Sequence, residues 1–367
     1  MMMDSVWILL DSVLFFVLLI PFLSRIIIFK NRIYFECGKK WNIILLIGCL
    51  LFCLYNKTEG DYIHYKYYIE EIIKRKNISD TFEFPYMILI YYTQGSYFLF
   101  RFFVWGIALF FYKKSIDILK VNYDLTMSIF ILFSLVAFAY VRVSLAISIF
   151  IFGFVCFYSS KIRSVKKRCL GLMFMLLSLL FHKSMIIILL IFFLGAFVKC
   201  RTKNLIISLC LFPVVVFLVN KYIGQIFNID INIVGLKYLT MDKENLGPAR
   251  IMFLLFWSIS VIILMWKMIV YFCKNIKIIP ICIQRMYVLV YLLFYVSLVF
   301  LFIDLGSISM FIRVREMAYM PLAIVISYFF INTNHKKTIL LPLFSMLCAN
   351  IFYFSYAYYL SYLGLIK

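Results

Sequence analysis

Apolar stretches of membrane-spanning length recur along this chain, and the short polar breaks between them are sorted by charge. Every second break is rich in cations: Lys30, Arg32, Lys39 and Lys40; Lys113, Lys114 and Lys120; Lys161, Arg163, Lys166, Lys167 and Arg168; Lys199, Arg201 and Lys203; Lys274, Lys277 and Arg285; Lys336 and Lys337. With Arg25 and Lys267 added, that side holds about 22 of the 37 Lys and Arg but only about 3 of the 16 Asp and Glu, as the positive-inside rule produces in polytopic membrane proteins. The formal net charge of +21 therefore points to topology and anionic headgroups, and away from nucleic acid. A soluble core could not enclose 66% apolar residues in 367, among them 41 Phe and 27 Tyr; lipid is the solvent that accepts such a surface.

The expected fold is all-α, one multi-span membrane domain over 1–367 with about twelve crossings. The predicted spans are 5–29, 41–55, 97–112, 124–140, 142–159, 169–181, 184–198, 205–220, 251–272, 286–303, 316–332 and 339–363. Asp4 and Asp11 stand where a signal peptide would carry cations, so the first run reads as an uncleaved helix with its amino terminus periplasmic, in a bacterial inner membrane. None of the ten cysteines falls in a predicted external break, which argues against a disulfide framework. Two external segments are long, 56–96 and 221–250. In the first, Tyr62, Tyr65, Ile69, Ile72 and Ile73 follow helical spacing and predict an amphipathic interfacial helix. The "FEFPYMILIYY" stretch behind it is too short to span, is broken by Pro85, and reads as re-entrant or half-buried. The second, with "KYLTMDKENLGPAR", suits an external lid loop.

Soluble-enzyme signatures are missing: no Gly-rich phosphate loop, G-x-S-x-G, H-E-x-x-H or C-x-x-C. Any chemistry must use charged groups at the outer helix ends. Arg142 opens the fifth span, where it either binds a phosphate bidentately or snorkels to headgroups. His182 and Lys183 occupy a tight turn between two apolar runs, a structural position as well as a catalytic one. Arg313 and Arg315 begin the eleventh span; Arg313 has Glu316 at i+3 as an alternative partner, and two cations there suit an anion. Arg250, after Pro248 at the start of the ninth span, is a fourth cation of this kind. Arg101, in "LFRFF", reads as a snorkelling anchor. Among acids, Asp61 is an N-cap or a carboxylate that activates a sugar hydroxyl, and Glu83 precedes the half-buried stretch. No conventional metal cluster and no cofactor motif are visible. Arg clusters suit phosphate and Tyr faces suit sugar rings, so the shared ligand is a lipid-diphosphate-linked glycan.

The order of the short motifs "GDYIHYKYY", "FEFPYMIL", "VRVSLAISI", "FHKSMIIILL" and "IRVREMAYMPL", from Asp61 to Pro321, resembles the EpsG family of polysaccharide polymerases, which overlaps the Wzy-type O-antigen polymerases. Each motif is short, and the resemblance rests on order and topology. It implies a metal-independent glycosyltransferase without cofactor that moves a growing glycan from undecaprenyl diphosphate onto a new lipid-linked repeat unit at the outer face. It further implies catalytic roles among Asp61, Glu83 and His182, with a carboxylate favoured as base. Arg142 and one of Arg313 and Arg315 would hold the diphosphate, with Arg250 a weaker addition from its position alone. Implied partners are the undecaprenyl-diphosphate-linked oligosaccharide, membrane lipids, and a chain-length regulator and flippase of the same pathway. The competing readings are a lipid-linked-glycan flippase or transporter, which should carry charges deep within its helices, and an O-antigen ligase, which shares the donor.

Overall fold

A computed structural model describes residues 26–29, 32–35, 60–75, 82–133, 141–159, 164–198, 201–227, 248–302 and 308–332, with positions 342 and 345. The predicted spans 41–55 and 339–363 lie outside them apart from Pro342 and Ser345. The chain divides into two compact units, Met1–Ile186 and Ile187–Lys367.

The first unit departs from an all-helical expectation at one place. β1 (Ile26–Phe29) and β2 (Arg32–Phe35) form an antiparallel pair with Phe29 opposite Arg32. The last four residues of the predicted first span are thus strand, consistent with the β-branched run Ile26–Ile28 and a two-residue connection. The remaining described elements of this unit are helices. α1 (Gly60–Arg75) buries Ile69 and Ile72, half-buries Tyr65 and Ile73, and exposes Tyr67 and Tyr68. These four residues of the predicted stripe therefore share the inward face, while the side chain of Tyr62 lies outside the described residues. α2 (Phe84–Tyr92) is a nine-residue helix, about 14 Å long and too short to cross hydrocarbon. Pro85 opens this helix instead of breaking it, because the first turn leaves the missing N–H without cost. Gln94 and Gly95 take positive φ (51° and 75°) to turn the chain into α3 (Tyr97–Leu119), and a Cβ on Gly95 would sit 3.0 Å from Ile73. α4 (Tyr123–Phe133), α5 (Val141–Ser159) and α6 (Val165–Phe181) follow, and α7 (Met185–Phe197) starts at the end of this unit.

α5 and α6 approach closely at two glycines. A Cβ on Gly153 would stand 2.6 Å from the Gly171 carbonyl, and one on Gly171 would stand 2.6 Å from the Phe157 nitrogen. Small residues let the two backbones meet in this way, as at crossings inside membranes. Arg101 is buried in α3 at 1% exposure with its guanidinium 5.6 Å from the Tyr97 ring. The snorkelling expectation for it is therefore corrected: the cation lies inside the unit, with the Tyr97 ring among its neighbours.

In the second unit, α8 (Thr202–Phe227) runs through Pro213, and α9 (Pro248–Asn275) and α10 (Ile281–Phe302) follow. Tyr287 of α10 donates to the Met265 carbonyl of α9 at 2.9 Å. α11 (Ile308–Met317) and α12 (Tyr319–Asn332) replace the single predicted span 316–332. The break has a local cause, since Pro321 has no N–H to give the Met317 carbonyl. α12 is buried almost all round, as an evenly apolar helix should be.

Among the described residues, three helices are long and apolar enough to cross a bilayer: Val141–Ser159, Leu255–Asn275 and Ile281–Phe300. Met185–Phe197 and Tyr319–Asn332 are apolar but shorter. The molecule is a membrane protein built on apolar helices.

Candidate functional site

Three side chains that the sequence singles out separately meet in the first unit. Glu83 caps α2 with an extended backbone, Arg142 is the second residue of α5, and His182 ends α6. The Arg142 Nη1 donates to Glu83 Oε2 at 3.0 Å, and His182 Nδ1 lies 2.9 Å from Glu83 Oε1. One carboxylate therefore joins three helices. The side chains of Arg142, His182 and Glu83 keep only 13%, 11% and 10% of their surface, so both contacts lie in partly dehydrated surroundings where charge-assisted bonds are strong.

Local structure explains the meeting. α5 and α6 are antiparallel neighbours, so the start of one lies at the end of the other. Arg142 stands eleven residues from Gly153, and His182 stands eleven from Gly171. The glycine crossing is thus about 16 Å from each side chain, which sets both in register. His182 leaves the helix with extended backbone, its N–H still on the Ser178 carbonyl, while its own carbonyl accepts from Met185 at 3.0 Å. This is the tight turn expected from "FHKS".

Aromatic residues complete the cluster. The Tyr65 hydroxyl accepts from Arg142 Nε at 3.2 Å and Nη2 at 2.9 Å. The guanidinium lies 4.9 Å from the Tyr65 ring and 5.0 Å from the Phe82 ring, within cation–π range. Tyr86 donates to the Arg142 carbonyl at 2.7 Å. Burial, then the Glu83 charge, push the Tyr86 hydroxyl well above its ordinary pKa, so it stays a donor. For Glu83, burial acts to raise the pKa. The His182 hydrogen bond and the Arg142 charge outweigh burial and hold the carboxyl below its usual value. Glu83 is therefore an ionised acceptor and a weak base.

The sequence reading did not single out Tyr65, Phe82 and Tyr86 as partners of Arg142. Tyr86 follows Glu83 by three residues and Tyr65 sits on the predicted stripe, which were the available signals. Asp61 is the second residue of α1, inside the first helical turn; its side chain lies outside the described residues, as does that of Arg250 in the first turn of α9. Arg313 and Arg315 do not begin a helix as expected. They lie in the second half of α11, with Arg315 in its last turn, where a cation faces the negative end of the helix. Arg315 is buried, 4.8 Å from the Trp257 ring and 5.7 Å from the Tyr319 ring. Among the described residues, no three His, Cys, Asp or Glu side chains are grouped to hold a metal ion.

The model of the EpsG family matches residues 39–366. No curated protein sequence matches the chain, and no solved structure matches it.

Proposed function

The chain belongs to the EpsG family, and from that membership and the Glu83–Arg142–His182 cluster we propose that it is a polysaccharide polymerase. It moves a growing glycan from undecaprenyl diphosphate onto a new lipid-linked repeat unit at the outer face of the bacterial inner membrane. The observation that carries this reading is one carboxylate holding both an Arg and a His at one end of the α5–α6 pair.

The division of labour follows from the bonds. Glu83 accepts at Oε1, so the proton of His182 sits on Nδ1 and the lone pair on Nε2. Glu83 orients, and His182 Nε2 is the base, as in other carboxylate–imidazole pairs. A hydroxyl of the incoming unit attacks the anomeric carbon, and its proton passes to Nε2. The bond from that carbon to the diphosphate oxygen breaks, and the lipid diphosphate leaves with the electron pair. Arg142 stabilises the charge that gathers on the departing diphosphate. Nε2 is covered from solvent in this conformation, so engaging substrate requires a neighbouring element to move. Arg313 or Arg315, with Arg250, is a candidate diphosphate contact from the family resemblance and the sequence order alone, and Asp61 is a candidate for holding a sugar hydroxyl. A chain-length regulator and a flippase are the proposed pathway partners.

The test is the surface-glycan ladder of a strain lacking the protein, complemented with wild type or with His182→Ala. Collapse to a single repeat unit in the deletion and in His182→Ala, at normal protein level, supports polymerisation. Loss of even the single unit indicates a flippase or ligase, and an unchanged ladder in the deletion refutes the reading.

A further inference from the structure

A groove of about 280 Å³ opens in the second unit among α7, α8, α9 and α10, and none of the residues assigned above lines it. Its lining changes character along its length. Arg201 and Asn204 stand at one end, Ser208 and Tyr291 share a hydroxyl–hydroxyl hydrogen bond midway, and Leu211 and Leu292 wall the apolar remainder. From Arg201 to Leu211 the groove follows α8 for about 15 Å. The polar end is stiff, because Arg285 of α10 donates to the carbonyls of Gly195, Ala196 and Val198 at 3.0–3.2 Å and clamps the end of α7.

We infer that this groove is a binding site for an anionic phospholipid of the cytoplasmic leaflet. The charge sorting places Arg201 and its exposed neighbour Lys203 in a cytoplasmic break, where basic pockets between helices take acidic headgroups. Each half of the groove excludes another class of ligand. A soluble anion has no use for the apolar wall, and a zwitterionic lipid brings its own cation to a mouth that already holds Arg201. The phosphate lies on Arg201 and Asn204, and one acyl chain follows α8 toward Leu211. This inference is independent of the polymerase reading.

The experiment is native mass spectrometry of the purified full-length chain titrated with phosphatidylglycerol, phosphatidylcholine or undecaprenyl phosphate. Phosphatidylglycerol is expected to be retained about fivefold better than phosphatidylcholine, the discrimination one near-surface cation supplies. Arg201→Gln should remove that preference, and Ile207→Trp, which fills the groove from an exposed position, should remove retention of both lipids. Equal retention of the two phospholipids by the wild type overturns the inference. So does retention untouched by both substitutions, or undecaprenyl phosphate displacing phosphatidylglycerol.

Discussion

Gly171→Ala isolates the device that sets the cluster. The new Cβ would stand 2.6 Å from the Phe157 nitrogen and 2.7 Å from the Gly153 carbonyl, against about 3.4 Å or more for ordinary contact, so α5 and α6 must part by about 0.8 Å. Overpacking of this kind costs about 1–3 kcal/mol, while replacing a helical Gly by Ala returns about 1 kcal/mol. The net loss of stability is therefore about 0–2 kcal/mol, and the folded protein should persist in the membrane. The geometry suffers more. A shift of about 0.8 Å at the ends of both helices would stretch one of the 2.9 and 3.0 Å bonds to Glu83 to about 3.7 Å, beyond hydrogen-bonding range. Gly106→Ala is the internal control, since a Cβ there meets nothing within 4 Å and should be neutral or slightly stabilising. The assay is glycan chain length beside thermal unfolding of the purified variants. Short glycan with Gly171→Ala and normal glycan with Gly106→Ala is the expected pair. If the two variants behave alike, the glycine crossing does not set the site.

Glu83→Gln keeps the shape of the side chain but removes the charge that orients His182. With charged hydrogen bonds worth about 1.5–3 kcal/mol, polymer yield should fall about 10- to 150-fold at unchanged protein level, measured by quantitative glycan blot. Tyr65→Phe keeps the ring under Arg142 but removes the acceptor of two of its bonds; about a tenfold loss of yield is expected, with Tyr65→Ala worse. The acid limb of stability has a definite sign. The Glu83 carboxyl is lowered on folding, so it contributes fully above the ordinary carboxyl pKa and is lost as pH falls through the lower folded value. Thermal midpoints in detergent should therefore run parallel for wild type and Glu83→Gln above the ordinary carboxyl pKa and fall more steeply for wild type below it. Trp257→Leu removes the ring beneath Arg315 and should lower unfolding stability by about 1–3 kcal/mol, read by the same thermal measurement.

Much of this site was legible because charge in an apolar chain is conspicuous. Glu83, Arg142 and His182 stood out as polar groups at helix ends, and burying an ion demands a partner. Which ions would pair was not legible. The residue spacing between 83, 142 and 182 carries no register, which depends on the Gly153–Gly171 contact between α5 and α6. The Arg313–Arg315 stretch misled for a different reason. Its apolar run continues past Met317, and only the single missing N–H of Pro321 divides α11 from α12. The first strand, Ile26–Phe29, is indistinguishable in sequence from the tail of a span, because an apolar run of β-branched residues fits either period.

The most direct test is reconstitution. Purified chain in lipid vesicles, given lipid-diphosphate-linked repeat units as sole substrate, should convert them into a ladder of longer glycans. Folded Arg142→Ala and His182→Ala proteins should leave the single unit unchanged. A ladder of equal length from the variants would contradict the account, as would wild-type protein that transfers no sugar from the lipid carrier.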